Sequence, residues 1–242
     1  MNQIKFVLLA GIIFTASSPI FLAQAGEAIK YVPKDTGEIT RQFAKSTARG
    51  RVRGRVRGAC NKIGNNFALR LLVPERTGKT LDAQPTLYWS VSEPLQNADF
   101  TFVLSEKAQP GSFDFPEPSI EHSFKKSVRL GIHALPLNTH GFQLKKNVEY
   151  EWSLSLVCDP ANNSLDISAI GTIMRVDSSP ALAKTLKKSS QQQLPYLYAK
   201  HGLWYNALEA LSAQIQKHPK DRKLRQTRAS LLKQVGLSEM AN

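Results

Sequence analysis

Val148-Glu-Tyr-Glu-Trp-Ser-Leu-Ser-Leu-Val-Cys158 puts Val148, Tyr150, Trp152, Leu154, Leu156 and Cys158 on one face, and Glu149, Glu151, Ser153 and Ser155 on the other. A period of two with large apolar groups on one side is the pattern of a strand half-buried in a sheet. Working outward, Phe67–Val73, Thr86–Ser92, Phe100–Ser105, Ile120–Phe124, Val128–Ala134 and Leu165–Val176 are further strand-like runs, punctuated by Pro74, Pro85, Pro94, Pro110-Gly111, Asn138 and Asp159-Pro-Ala-Asn-Asn163. About seven strands with no helical pattern between them predict a mainly β domain over residues 60–179, an immunoglobulin-like antiparallel β-sandwich. Trp152 is then a core anchor.

After Ser179 the period changes. Gln191–Lys200, Trp204–Lys217 and Arg222–Val235 are helical stretches separated by His201-Gly202 and His218-Pro219, and Trp204, Ala207, Leu208, Leu211 and Ile215 make one apolar stripe. Gly202-x-Trp204-x-x-Ala207-x-x-x-Leu211, with Pro219 beyond it, resembles the second helix of a tetratricopeptide repeat. Residues 180–242 are therefore expected to be a short α-helical, TPR-like tail, too small to stand alone. Trp204 and Tyr205 are its candidate partner-contact residues, with burial against the sandwich as the competing expectation.

Charge is distributed unevenly along the 242 residues. The chain has 32 Lys and Arg against 19 Asp and Glu, a formal net charge of +13. Residues 60–179 carry a net of −2, so the basic excess lies in the flanks: +6 over 26–59 and +8 over 180–242. Residues 26–59 are expected to be a flexible basic arm. Its repeat Arg49-Gly-Arg-Val-Arg-Gly-Arg-Val-Arg-Gly58 puts Arg49, Arg51, Arg53, Arg55 and Arg57 at alternate positions, which suits attachment to a polyanion such as an anionic envelope surface. Nucleic acid is disfavoured as the partner, because the arginine repeat has no aromatic residues to stack bases and an export signal is expected.

That signal is read over residues 1–25. Lys5 precedes an apolar run from Phe6 to Ala16, Ser17-Ser18-Pro19 interrupts it, and Ala23-Gln-Ala25 is a small-x-small cleavage site. The alternative is an uncleaved anchor. After Gly26 no apolar stretch reaches the length of a spanning helix, so the mature protein is expected to be periplasmic or secreted, without a membrane span. In an oxidising compartment Cys60 and Cys158, the two cysteines, are expected to form one structural disulfide.

Several segments in order, Leu71-Leu-Val-Pro74, Pro85-Thr-Leu-Tyr-Trp89, Tyr150-Glu-Trp-Ser-Leu-Ser-Leu-Val-Cys-Asp-Pro160 and Gly202-Leu-Trp-Tyr-Asn-Ala-Leu208, resemble the bacterial domain-of-unknown-function family 928. The resemblance covers Cys60 to Leu237. It implies an exported protein with a β-rich domain and a short helical end, and brings no assigned activity and no catalytic residues.

Several motifs of nucleophilic, phosphate-binding or metalloprotease chemistry are missing from the sequence: there is no HExxH, GxSxG, Walker loop or GxGxxG. His122, His133 and His140 have spacings that match no short metal motif, and His201 reads as a helix cap. Glu149 and Glu151 share a strand face at a distance that suits glycoside chemistry, although two acids alternating with apolar residues ordinarily solvate a sheet. Asp159, Asn162, Asn163 and Asp166 could offer oxygen ligands to calcium but read more simply as a turn. The expectation is a non-enzymatic interaction protein of the cell envelope with no cofactor and no metal, partnered by an envelope protein or an anionic surface. The alternative is an envelope polysaccharide-binding module or hydrolase whose site is built from scattered side chains.

Overall fold

The computed structural model describes residues 28–34, 60, 63–64, 67–108 and 116–237. The expected signal sequence and the arginine repeat lie outside the described residues. Eight strands form two sheets: β1 (Leu69–Leu71), β2 (Gly78–Thr80), β3 (Thr86–Val91), β4 (Leu95–Glu106), β5 (Pro118–Val128), β6 (Gly131–Pro136), β7 (Glu149–Leu156) and β8 (Ile167–Arg175). One sheet has the order β1-β3-β6, and the other β2-β8-β7-β4-β5. Four helices follow: α1 (Pro180–Lys188), α2 (Leu194–Lys200), α3 (Trp204–Lys217) and α4 (Arg222–Gln234). Among the described residues the chain is thus mainly β, with the helices at the C-terminal end.

β7 is the strand that decides the architecture, and it lies where its alternation demands. It pairs with β4 on one side and β8 on the other, with Leu104 and Gly171 opposite Trp152. Tyr150, Trp152, Leu154 and Leu156 are buried, while Glu151 is exposed on the other face. The two sheets meet through Trp89 of β3 and Phe100 of β4, with ring centroids 5.1 Å apart. The Cys60–Cys158 disulfide fixes the approach to β1 beside the end of β7, with Cα atoms 4.9 Å apart.

Three local differences from the sequence reading have physical causes. Val128–Ala134 is two strands in different sheets: β5 ends at Val128, Arg129-Leu130 turns the corner, and Gly131 starts β6 at φ +112°, which an L side chain rarely adopts. β2 has no apolar alternation. It forms because it pairs with the outer edge of β8, in parallel, and so departs from the all-antiparallel pattern expected. α1 lies inside the expected helical tail but outside its three named helical stretches. It starts on local signals, the Ser179 hydroxyl accepting from the Leu182 N–H and Pro180 in the first turn.

The helices pack on the β-domain through α3, whose residues Trp204, Tyr205, Ala207, Leu208 and Leu211 are fully buried. α2 ends in a Schellman turn: the Gly202 N–H donates to the Ala199 carbonyl and the Leu203 N–H to that of Tyr198, with His201 as the C-cap residue. Gly202 sits at φ +73°, and a Cβ there would come within 2.7 Å of the Val32 carbonyl. That close approach belongs to a strap, residues 28–34. Read in the sequence as the start of the basic arm, they lie against the helices. The Val32 N–H donates to the Ala199 carbonyl, and Gln234 accepts from the Tyr31 N–H and donates to the Ile29 carbonyl. Ile29 is buried, and the Tyr31 ring meets Trp204 edge-on at 5.0 Å.

Candidate anion-binding surface on the helical cap

The two aromatic residues expected to meet a partner are inside the molecule. Trp204 Nε1 donates to the Leu72 carbonyl at 2.8 Å. The Tyr205 hydroxyl accepts from Trp152 Nε1 at 3.0 Å and donates to the Thr172 carbonyl at 3.0 Å. Burial holds the Tyr205 phenol far above its usual range, so it stays protonated and can donate. The partner-contact role expected of Trp204 and Tyr205 is therefore corrected: each is an apolar ring with one polar group, and the β-domain supplies both the cover and the hydrogen-bond partners. Asn206 continues the seam, accepting from the Leu81 N–H and donating to Asp82 Oδ2. Glu209 accepts from the Thr86 hydroxyl at 2.6 Å.

These contacts leave the outward face of the helices to cations. Lys217, Lys220, Arg222, Lys223 and Arg225 are all exposed around the turn between α3 and α4, and Lys184, Lys187 and Lys188 are exposed on α1. The described acids of the helices are held in structural bonds. Glu209 faces β3, and Asp221 is the N-cap of α4, accepting from the Lys223 and Leu224 N–H groups. The ion pairs among the described residues, Lys107–Glu149, Lys125–Asp99, Lys145–Glu106 and Lys146–Asp177, use no cation of the helices. Arg222 and Lys223 also stand in the first turn of α4, which has no acid, so they oppose the positive end of the helix dipole. Burial pushes the Arg228 guanidinium down, and Arg225 beside it adds to that. Among the described residues the helical cap thus carries a cationic excess with no ion pair to its cations, and screening by salt or a polyanion would relieve the repulsion.

The other candidates resolve into local structure. Glu149 accepts from Lys107 Nζ at 2.7 Å and from the Thr77 hydroxyl, while Glu151 is exposed, so the carboxylate pair does not converge on a common site. In the 159–166 turn, Asp159 accepts from the Ala161 N–H, Asn162 from the Ser164 N–H and Asp166 from the Cys158 N–H. Those oxygens do the work of a turn. Among the described residues no group of three or more His, Cys, Asp or Glu is placed to hold a metal. His133 stacks on Trp89 with Nε2 2.7 Å from the Arg129 carbonyl, whereas His122 and His140 meet each other with ring centroids 5.0 Å apart. No helix among the described residues is long and apolar enough to cross a membrane.

Fold and surface together define a two-sheet β protein with an integral, cationic helical cap. The family model described as Domain of Unknown Function (DUF928) matches residues 48–242, and the chain belongs to that family. A search of curated proteins finds no match.

Proposed function

We propose that this is an exported, non-enzymatic interaction protein that attaches to an anionic surface of the cell envelope by charge. In this reading the sandwich is immunoglobulin-like, the α2–α3 pair is a TPR-like unit used as a structural cap, and attachment is shared between the arginine repeat (Arg49 to Arg57) and the cationic turn between α3 and α4. The observation that carries the reading is that, among the described residues, the exposed cations of the helices have no ion-pair partners, while Glu209 and Asp221 are held in structural bonds. A surface kept uncompensated costs stability, and an external polyanion is the simplest means of offsetting that cost. The hydrolase alternative draws no support from Glu149, which is already engaged by Lys107.

The test is co-sedimentation of the mature protein with vesicles of anionic or zwitterionic lipid. Binding is expected to anionic vesicles only, and to weaken both in the Lys217→Glu/Lys220→Glu/Lys223→Glu variant and on deletion of residues 49–57. Equal binding to zwitterionic vesicles would overturn the proposal.

A further inference from the structure

The two edge strands β5 and β6 belong to different sheets and flank an open side of the sandwich. Alternation along β5 puts Ile120, His122, Phe124 and Lys126 on its inward face, yet His122 is exposed and Phe124 only half-buried, because the three-stranded sheet does not reach over them. His140 ends the 3-10 turn (Leu137–His140) that follows β6, and Gly141 closes that turn. The two imidazoles, one on β5 of the five-stranded sheet and one on the turn after β6 of the three-stranded sheet, meet at the open side with ring planes 64° apart. Their positions are set by apolar contacts. His140 lies against Phe102 at 5.5 Å, and His122 against Phe124 at 5.7 Å.

We infer that His122 and His140 form a two-histidine site for a borderline divalent transition metal, copper(II) or zinc(II), that bridges the two sheets. A metal about 2.1 Å from a ring nitrogen lies roughly 3.2 Å from the ring centroid, so centroids 5.0 Å apart subtend about 100° at the metal, close to the tetrahedral angle. Neither ring makes a hydrogen bond among the described residues, in contrast to His133, whose Nε2 is occupied by the Arg129 carbonyl. With two protein ligands the remaining positions fall to water or to a further donor, so the site exchanges metal readily. Copper(II) binds tighter than zinc(II) at such nitrogen ligands.

The experiment titrates copper(II) into the full mature protein, without an affinity tag, by calorimetry and by electron paramagnetic resonance. The expected result is one saturable site with hyperfine structure from two imidazole nitrogens and a melting temperature that rises with metal. His122→Ala and His140→Ala should each weaken binding at least tenfold and remove the rise in melting temperature, and His133→Ala should leave both unchanged. His122 is exposed on an edge strand, so its substitution tests the site without threatening the fold. Unchanged affinity in His122→Ala and His140→Ala, an equal loss in His133→Ala, or no saturable binding would each overturn the inference.

Discussion

Tyr205→Phe removes one oxygen from the seam between the helices and the β-domain, and its cost follows from that oxygen's two partners. The hydroxyl accepts from Trp152 Nε1 and donates to the Thr172 carbonyl, both at 3.0 Å. Trp152 and Tyr205 are 0% and 1% exposed, so water cannot replace the lost atom. The ring's own apolar burial is retained, which leaves an unsatisfied indole donor and an under-satisfied carbonyl. Each such orphan costs about 1–3 kcal/mol, with the carbonyl at the low end, for a total of about 2–4 kcal/mol. In a protein of this size that is a fall in melting temperature of roughly 5–15 °C. The assay is urea unfolding followed by far-ultraviolet circular dichroism, with an unchanged slope expected because the exposed surface is the same. Trp152→Phe/Tyr205→Phe should cost less than the two single changes added, since one bond is counted in both. A Tyr205→Phe protein within about 0.5 kcal/mol of wild type would refute the claim that this buried triad joins cap and sandwich.

Three further outcomes are expected. Cys158→Ser opens a cross-link spanning 98 residues, worth about 4–5 kcal/mol in the chain-entropy treatment, and should lower the melting temperature of the oxidised protein to that of the reduced one; coincident melting of oxidised wild type and variant would contradict this. Gly202→Ala places a Cβ at φ +73° against the Val32 carbonyl, so the Val32 amide should lose hydrogen-exchange protection by tenfold or more while amides of β7 keep theirs; unaltered protection at Val32 would mean the strap is not held there. Burial lowers the pKa of His133, His140 and His201, so the folded state favours neutral rings and the unfolded chain binds protons first as pH falls below about 6.5. Their contribution is fully present above that pH and is lost on acidification. The urea midpoint should therefore fall from neutral pH to about pH 5.5, and a midpoint that rises over that interval would contradict the assignment. Asp82, whose carboxyl pKa is raised by burial, acts in the opposite sense at more acidic pH.

The strand pattern around Trp152 was legible because a half-buried strand writes its environment into every second residue, and α3 because its apolar stripe recurs at helical spacing. The disulfide followed from two cysteines in an expected oxidising compartment. β2 was not legible, since Gly78-Lys-Thr80 owes its strand geometry to pairing with β8 and not to any pattern of its own. The tail's stripe shows that Trp204 needs cover but not what provides it, and it does not include Tyr205. That information sits in Leu72, Trp152 and Thr172, far away along the chain. The same holds for His122 and His140, brought together from β5 and from the turn after β6, and for Glu209 and Asp221, whose structural bonds leave the helix cations without ion pairs among the described residues.

The measurement that tests the central claim most directly is attachment of the mature protein to isolated envelopes as a function of salt concentration. Charge-driven attachment should fall steeply and continuously as salt rises, and the slope should become shallower in the Lys217→Glu/Lys220→Glu/Lys223→Glu variant, in which fewer cations meet the surface. Attachment that survives high salt, with a slope unaffected by that variant, would contradict it and would show that the contact is made by shape elsewhere on the protein.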